Sequence, residues 1–217
     1  MHGEGGPVDP GATDPTPGSD AASLTKGERT RRRLLELAID RFGIRGYRAT
    51  SVSEIARAAG LTQATVYAYF ESKQALFVAA LDTDASELVV EAGAVADRSP
   101  VTEAPLDFLV ALFEGVGRHP LARRVLAGEE TEVKAFPELA DLPAIRNATS
   151  TLVDKLREGQ ARGEVRTDID PVLVGNGIEG ILLAILAAIV QLGGLGTQRA
   201  QDGVAAAFRA MLEPPTR

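Results

Sequence analysis

From Thr25 onward apolar residues recur at spacings of three and four, and no stretch sustains the period-two alternation of a half-buried strand. That rhythm constrains the fold more than any other feature of the chain, because a helix-period pattern does not settle as a sheet. The class is therefore all-α, with about nine helices. Residues 1–24 lack the rhythm and consist mostly of Gly, Pro, Ala, Asp, Ser and Thr. Such a segment cannot recover its ordering entropy by burial and is expected to be a disordered tail.

The first helix is expected over about 26–42, with Leu34, Ala38 and Phe42 on one stripe and Gly43 and Gly46 stopping it. Ser51-Val52-Ser53-Glu54 fits a capping box and opens a second helix, whose inner face is Val52, Ile55, Ala56 and Ala59. Gly60 breaks that helix, and Thr62 caps a short third one that reaches Phe70, with Val66 and Phe70 turned inward. Two short helices joined by a glycine turn make a helix-turn-helix. A fourth helix is expected from Ser72 or Lys73 to somewhere in 91–100, and others over 105–117, 119–134, 143–162, 170–193 and 198–212.

The chain contains no cysteine, which removes disulfides, thiolate metal sites and cysteine nucleophiles. Its first residues have neither a basic start nor an apolar stretch, so no secretory signal is expected. The longest uninterrupted apolar run, 181–190, has ten residues, whereas a membrane span needs about 20. The expected location is cytoplasmic, with no membrane partner. The net charge of −7 is unevenly placed. Residues 26–73 hold ten basic and five acidic residues, a balance of +5, while the tail stands at −4 and 74–217 at −8. An acidic protein with one basic segment suggests a small module that meets a polyanion. A solvated helix face can be equally basic, so this observation alone does not decide.

The outward positions of the third helix add to it. Gln63, Ala64, Thr65, Tyr67 and Tyr69 face away from Val66, Lys73 follows, and none of them is acidic. Amide, hydroxyl and phenol groups of this kind hydrogen-bond base edges and phosphates. The run Ala59-Gly-Leu-Thr-Gln-Ala-Thr-Val-Tyr-Ala-Tyr-Phe-Glu-Ser-Lys73, preceded by Phe42-x-x-x-Gly46-Tyr47 and Thr50-Ser51-Val52-x-x-Ile55-Ala56, resembles the N-terminal domain of TetR-family transcriptional regulators over about 28–88. Where the family usually has histidine before the final phenylalanine, Tyr69 stands here.

The resemblance implies an N-terminal three-helix DNA-binding domain over 25–72 and a larger helical effector-binding and dimerisation domain over 73–217. It implies that Gln63, Thr65 and Ala64 read bases, that Thr50, Ser51, Tyr67, Tyr69 and Lys73 hold phosphates, and that Thr62, which caps the reading helix, belongs to the same DNA-binding set. Either tyrosine could instead be a packing aromatic. Arg29, Arg31, Arg32 and Arg33 form either a solvated face or an arm along the DNA backbone. The partners implied are a double-stranded DNA operator, an apolar small-molecule effector and a second copy of the chain, and the most natural role is that of a repressor. An activator, or a helical small-molecule-binding protein or enzyme with a vestigial helix-turn-helix, are the rival readings.

Residues 90–217 contain no nucleophile elbow, Walker loop or HExxH motif, so no catalytic residue, metal or cofactor is assigned. Phe108, Leu112, Phe113, Leu126 and Phe136 are candidates to line an effector pocket, or else plain core. Asn176 and Gln191 interrupt an apolar helix and either anchor a ligand or bond backbone. The segment 172–192 is apolar nearly all round and carries Gly175, Gly177, Gly180, Ala184, Ala187 and Ala188, which would let another helix come close. With the helix at 198–212 it is expected to form a four-helix dimer bundle, burial within one subunit being the alternative.

Overall fold

The structure is a computed structural model that describes residues 25–130, 140–194 and 197–215; the expected tail at 1–24 and Phe136 lie outside them. Among the described residues there are nine α-helices and no strand. They are α1 (Lys26–Ala49), α2 (Val52–Ala59), α3 (Gln63–Tyr67), α4 (Lys73–Ala96), α5 (Ala104–Gly115), α6 (Pro120–Leu126), α7 (Pro143–Arg162), α8 (Pro171–Leu192) and α9 (Gln198–Leu212), with a 3-10 turn at Val116–Arg118.

Helix α1 begins where Thr25 accepts from the Glu28 N–H at 3.2 Å and the Glu28 carboxylate accepts from the Thr25 N–H at 2.7 Å. It runs past its expected end. Gly43 stays helical, and its missing side chain admits Pro120 of α6, which would lie 2.8 Å from a Cβ at 43. Gly43 is therefore a packing glycine and not a stop. Gly46 does interrupt the helix, with φ 81° and ψ 169°, a conformation reserved almost entirely for glycine. The capping box at Ser51 and Glu54 forms as expected, Gly60 ends α2 in the left-handed region at φ 72°, and the Leu61 N–H returns to the Ala56 carbonyl. Helix α3 is shorter than its pattern suggests. Its hydrogen-bonded span closes at Tyr67, and a turn carries the chain to Phe70, whose N–H bonds the Val66 carbonyl.

Helix α4 joins the two halves. Its first turns complete the core of the first three helices, because Phe77 meets the rings of Phe42 and Tyr47 edge-on at 5.1 and 5.2 Å. Its later turns pack on α5 and α7, and α1 also rests on α6. Thr149 meets Glu179, and a Cβ at Gly175 would touch Val153, so α7 and α8 run antiparallel. The expected helix over 119–134 ends at Leu126, followed by Gly128 at φ 72°.

By length and composition α8 could cross a membrane, its glycines interrupting an apolar run without lowering its mean hydropathy much. Here its inner stripe of Gly175, Ile178, Leu182, Leu186, Ala187 and Ile189 is buried in the bundle. An outer stripe stays exposed, running through Leu173, Gly177, Gly180, Ile181, Ala184 and Ala188. Among the described residues, nothing beyond the helix's own backbone and the adjacent residues comes within 4 Å of a Cβ placed at Gly177 or Gly180.

Candidate nucleic-acid interface and ligand cavity

Val66, fully buried, fixes the rotation of α3, and that anchor presents Gln63, Ala64 and Tyr67 to solvent. Thr62 caps the helix by accepting from the Thr65 N–H at 3.1 Å, and the two hydroxyls pair at 2.8 Å. The Gln63 amide nitrogen lies 3.5 Å from the Tyr67 hydroxyl, which is 41% exposed. This surface carries amide, hydroxyl and phenol groups with no acid among them.

Its flanks divide into groups that face outward and groups that do not. Ser51 is half-buried, and its hydroxyl caps α2 and pairs with that of Ser53 at 3.0 Å. Glu54, which completes this cap, has its carboxyl held below the usual 4.5, chiefly by the Ser51 backbone N–H and also by Arg45 and Arg57. The Lys73 ammonium sits 4.4 Å above the Tyr47 ring and 3.5 Å from the Arg48 carbonyl, at the N-terminus of α4. Tyr47 thus orients Lys73.

Thr50 departs from the expected set. It is 2% exposed, and its hydroxyl is directed to the carbonyls of Gly46 at 2.8 Å and Arg41 at 3.1 Å. It closes the kinked end of α1, so its side chain is unavailable to a phosphate. Tyr69 is half-buried against the core, its hydroxyl approaching the start of α1 near Gly27. Of the basic cluster, Arg31 lies over the Phe70 ring at 5.2 Å and Arg32 pairs with Glu36 at 3.1 Å.

A cavity of about 600 Å³ lies in the second half. Its mouth opens between α4 and α7, and α5, α6 and α8 form its walls. Phe108, Leu112 and Leu126 line it as expected. Phe113 packs on the core away from the cavity. Asn176 is exposed, because α8 buries the stripe through Gly175 and Ile178 and the next residue is rotated by about 100°. Gln191 donates to the Leu126 carbonyl at 3.1 Å, so it bonds backbone. The polar group that α8 places in the cavity is Glu179, whose carboxylate accepts from the Thr149 hydroxyl at 2.6 Å. It is the one charged residue in α8 and was legible on that ground, yet an amide draws more notice as an anchor.

Helix α6 lies between the two sites, with Ala122 and Leu126 on the cavity. Its first turn has no side-chain cap of its own. The buried Asp84 of α4 takes that place, accepting from the N–H groups of Leu121 at 3.0 Å and Ala122 at 2.8 Å and bonding His119 Nδ1 at 3.1 Å. Past its far end the buried Glu130 accepts from the Tyr47 N–H at 3.1 Å and from Arg124 Nε at 2.6 Å. A single short helix is thereby fastened to α4 at one end and to the kink of α1 at the other.

A capped helix-turn-helix with an acid-free third helix, seated on a cavity-bearing helical body, defines a DNA-binding transcriptional regulator. Residues 34–80 match the family described as bacterial regulatory proteins of the tetR family. The HTH-type transcriptional regulator YdgC of Bacillus subtilis is 30% identical over 170 residues, covering 73% of this chain and 80% of its own. The HTH-type transcriptional repressor KstR2 of Mycolicibacterium smegmatis is 31% identical over 152 residues, covering 65% of this chain and 70% of its own. A crystal structure of a TetR-family regulator from Mesorhizobium loti superposes with a TM-score of 0.65 at 22% identity, over 88% of this chain and 100% of that one. This chain belongs to the TetR family of transcriptional regulators.

Proposed function

We propose that the chain is a cytoplasmic, homodimeric repressor that occupies a palindromic operator when empty and leaves it when a small molecule fills the cavity. The observation that carries this reading is the presentation of Gln63, Ala64 and Tyr67 on a helix locked by the buried Val66, above a separate ligand-sized cavity. A DNA-reading unit, 25–72, and an effector and dimer unit, 73–217, divide the work, with α4 shared between their cores. Gln63, Ala64 and Thr65 read base edges, and Ser51, Tyr67, Tyr69 and Lys73 hold phosphates, with Thr62 fixing the helix start. Thr50 drops out of the set because its hydroxyl is spent inside the fold.

Two copies place α3 in successive major grooves about 34 Å apart. The outer stripe of α8, together with α9, is the surface proposed to bury the second copy, since Gly177, Gly180 and Ala184 permit a close helix approach. Ala187, considered with them on sequence, points inward. The repressor sense is supported by the KstR2 relative, which is named a transcriptional repressor. Filling the cavity would displace α4 or α6, and the Asp84 and Glu130 fastenings would carry that displacement to α1 and so to the spacing of the two reading helices.

A labelled fragment of the gene's own upstream region tests the reading. It should be retarded by the protein at moderate salt. Ala184→Arg should yield monomers in sedimentation and weaken that binding severely, because one subunit keeps half the DNA contacts. A wild-type protein that sediments as a monomer, or that leaves the fragment unshifted, would overturn the proposal.

A further inference from the structure

The cavity is not neutral toward ligand charge. Among the described residues three charged ones line it, Asp97, Lys155 and Glu179. At the mouth the Lys155 ammonium is already committed to the Asp97 carboxylate and approaches the Ala96 carbonyl at 3.5 Å. That pair cancels itself and leaves no free cation among the described lining residues for an acid to meet. Inside, the walls given by α5 and α6 are entirely apolar, contributing Phe108, Leu112 and Leu126. Glu179 lines the same space, with the Thr149 hydroxyl bound to one of its two oxygens. An ionised carboxylate is an acceptor only and has room for further donors. The single Thr149 hydroxyl proton is shared between Glu179 at 2.6 Å and the Ile145 carbonyl at 3.0 Å, so this corner of the cavity asks for a donor, and for positive charge above all.

We infer that the ligand of this cavity is a lipophilic amine, an apolar body with a protonated nitrogen that pairs with Glu179. The inference rests on the effector reading above and narrows it. An apolar acid of the same size would bring its negative charge against Glu179 in surroundings where charge is poorly screened. The balance of one cation and two anions among the described lining residues therefore selects against it. A neutral alcohol can donate to Glu179 without the charge term and should fall between the two.

The test is isothermal titration calorimetry of the full chain with decylamine, decanol and decanoate, which share one chain length and differ at the polar end. Wild-type protein should bind decylamine at least about tenfold more tightly than decanoate. Glu179→Gln keeps an acceptor for Thr149 and should fold with unchanged helicity in circular dichroism. It should lose about tenfold in decylamine affinity and leave decanol nearly unchanged. Glu179→Lys should reverse the order and favour decanoate. Attraction to the acidic surface would fade with added salt, whereas the Glu179-dependent difference should persist, because a pair inside a cavity is screened much less. Decanoate binding as tightly as decylamine, amine affinity indifferent to Glu179→Gln, or no binding of any probe would each overturn the inference. Release of the labelled operator fragment by decylamine is read separately. Glu179-dependent binding without release would sink the effector reading and leave the ligand class standing.

Discussion

The DNA-reading half and the middle helices of the ligand-binding half begin in different ways. In the DNA-reading half each helix brings its own start: Thr25 with Glu28, Ser51 with Glu54, Thr62, and Ser72 at the head of α4. In the ligand-binding half Asp170 and Thr197 cap α8 and α9 locally, but α5, α6 and α7 between them and α4 start on a proline near the first position with no side-chain cap. Helix α6 borrows its cap from Asp84, 37 residues earlier. Local capping specifies short helices before any tertiary contact exists, while borrowed capping makes a helix conditional on its neighbour. A part that must present the same surface to DNA every time suits the first arrangement. A part that must yield to a ligand suits the second.

Breaking the borrowed cap should cost most. Asp84→Ala leaves two buried N–H groups and His119 without their acceptor and should lower the unfolding free energy by about 3 to 5 kcal/mol in urea titrations. Asp84→Asn retains one acceptor oxygen and should cost visibly less. If Asp84→Ala unfolds no more easily than a surface substitution, the contrast between the halves collapses.

On the DNA side the largest effect should come from a base reader. Gln63→Ala should weaken binding to the preferred operator by about 1 to 3 kcal/mol and weaken variant sites less, so discrimination falls. Lys73→Ala should instead weaken all sequences alike and lower the slope of log affinity against log salt by roughly one unit per subunit. Gel-shift titrations on two operators at several salt concentrations separate these outcomes, and equal losses on every sequence for Gln63→Ala would reassign its role.

A local cap should be the mildest to lose. Ser51→Ala is expected to cost about 1 kcal/mol of unfolding free energy, with α2 still formed in the native state because Val52, Ile55 and Ala56 hold it to the core. A loss matching that of Asp84→Ala would show that the reading half is no more self-specified than the other.

The same contrast explains what was legible in the sequence. Periodicity and caps located α2, α3 and the start of α4, since the signals there lie within a few residues of what they determine. They placed the end of α1 at Gly43 because a glycine reads as a stop, and only Pro120, from a distant helix, reveals that it is a contact. Thr50 entered the phosphate set through the family resemblance alone, and the carbonyls of Gly46 and Arg41 that take its hydroxyl are brought to it by a kink with no local sequence marker beyond Gly46 itself. In the second half Phe108, Leu112 and Leu126 could be found as apolar positions, but which polar residue enters the cavity depends on the rotation of α8 against α7. That rotation favours Glu179 over Asn176, and it is set by Gly175 packing on Val153, a long-range fact.

The meeting of Gly46 and Glu130 bears on how far such regulators can be assembled from parts. A Cβ at position 46 would stand 2.7 Å from a Glu130 carboxylate oxygen, and the neighbouring Tyr47 N–H depends on that same carboxylate. The head of the molecule ends in a glycine that only a body carrying an acid at 130 can use, and the acid at 130 is accommodated only by a head that lacks a side chain there. A hybrid built by grafting residues 25–72 onto a foreign ligand-binding body would separate the two sides of this joint. It would inherit the operator preference of one parent and the cavity of the other, and its response would be governed by whether the borrowed body returns an acceptor to Tyr47.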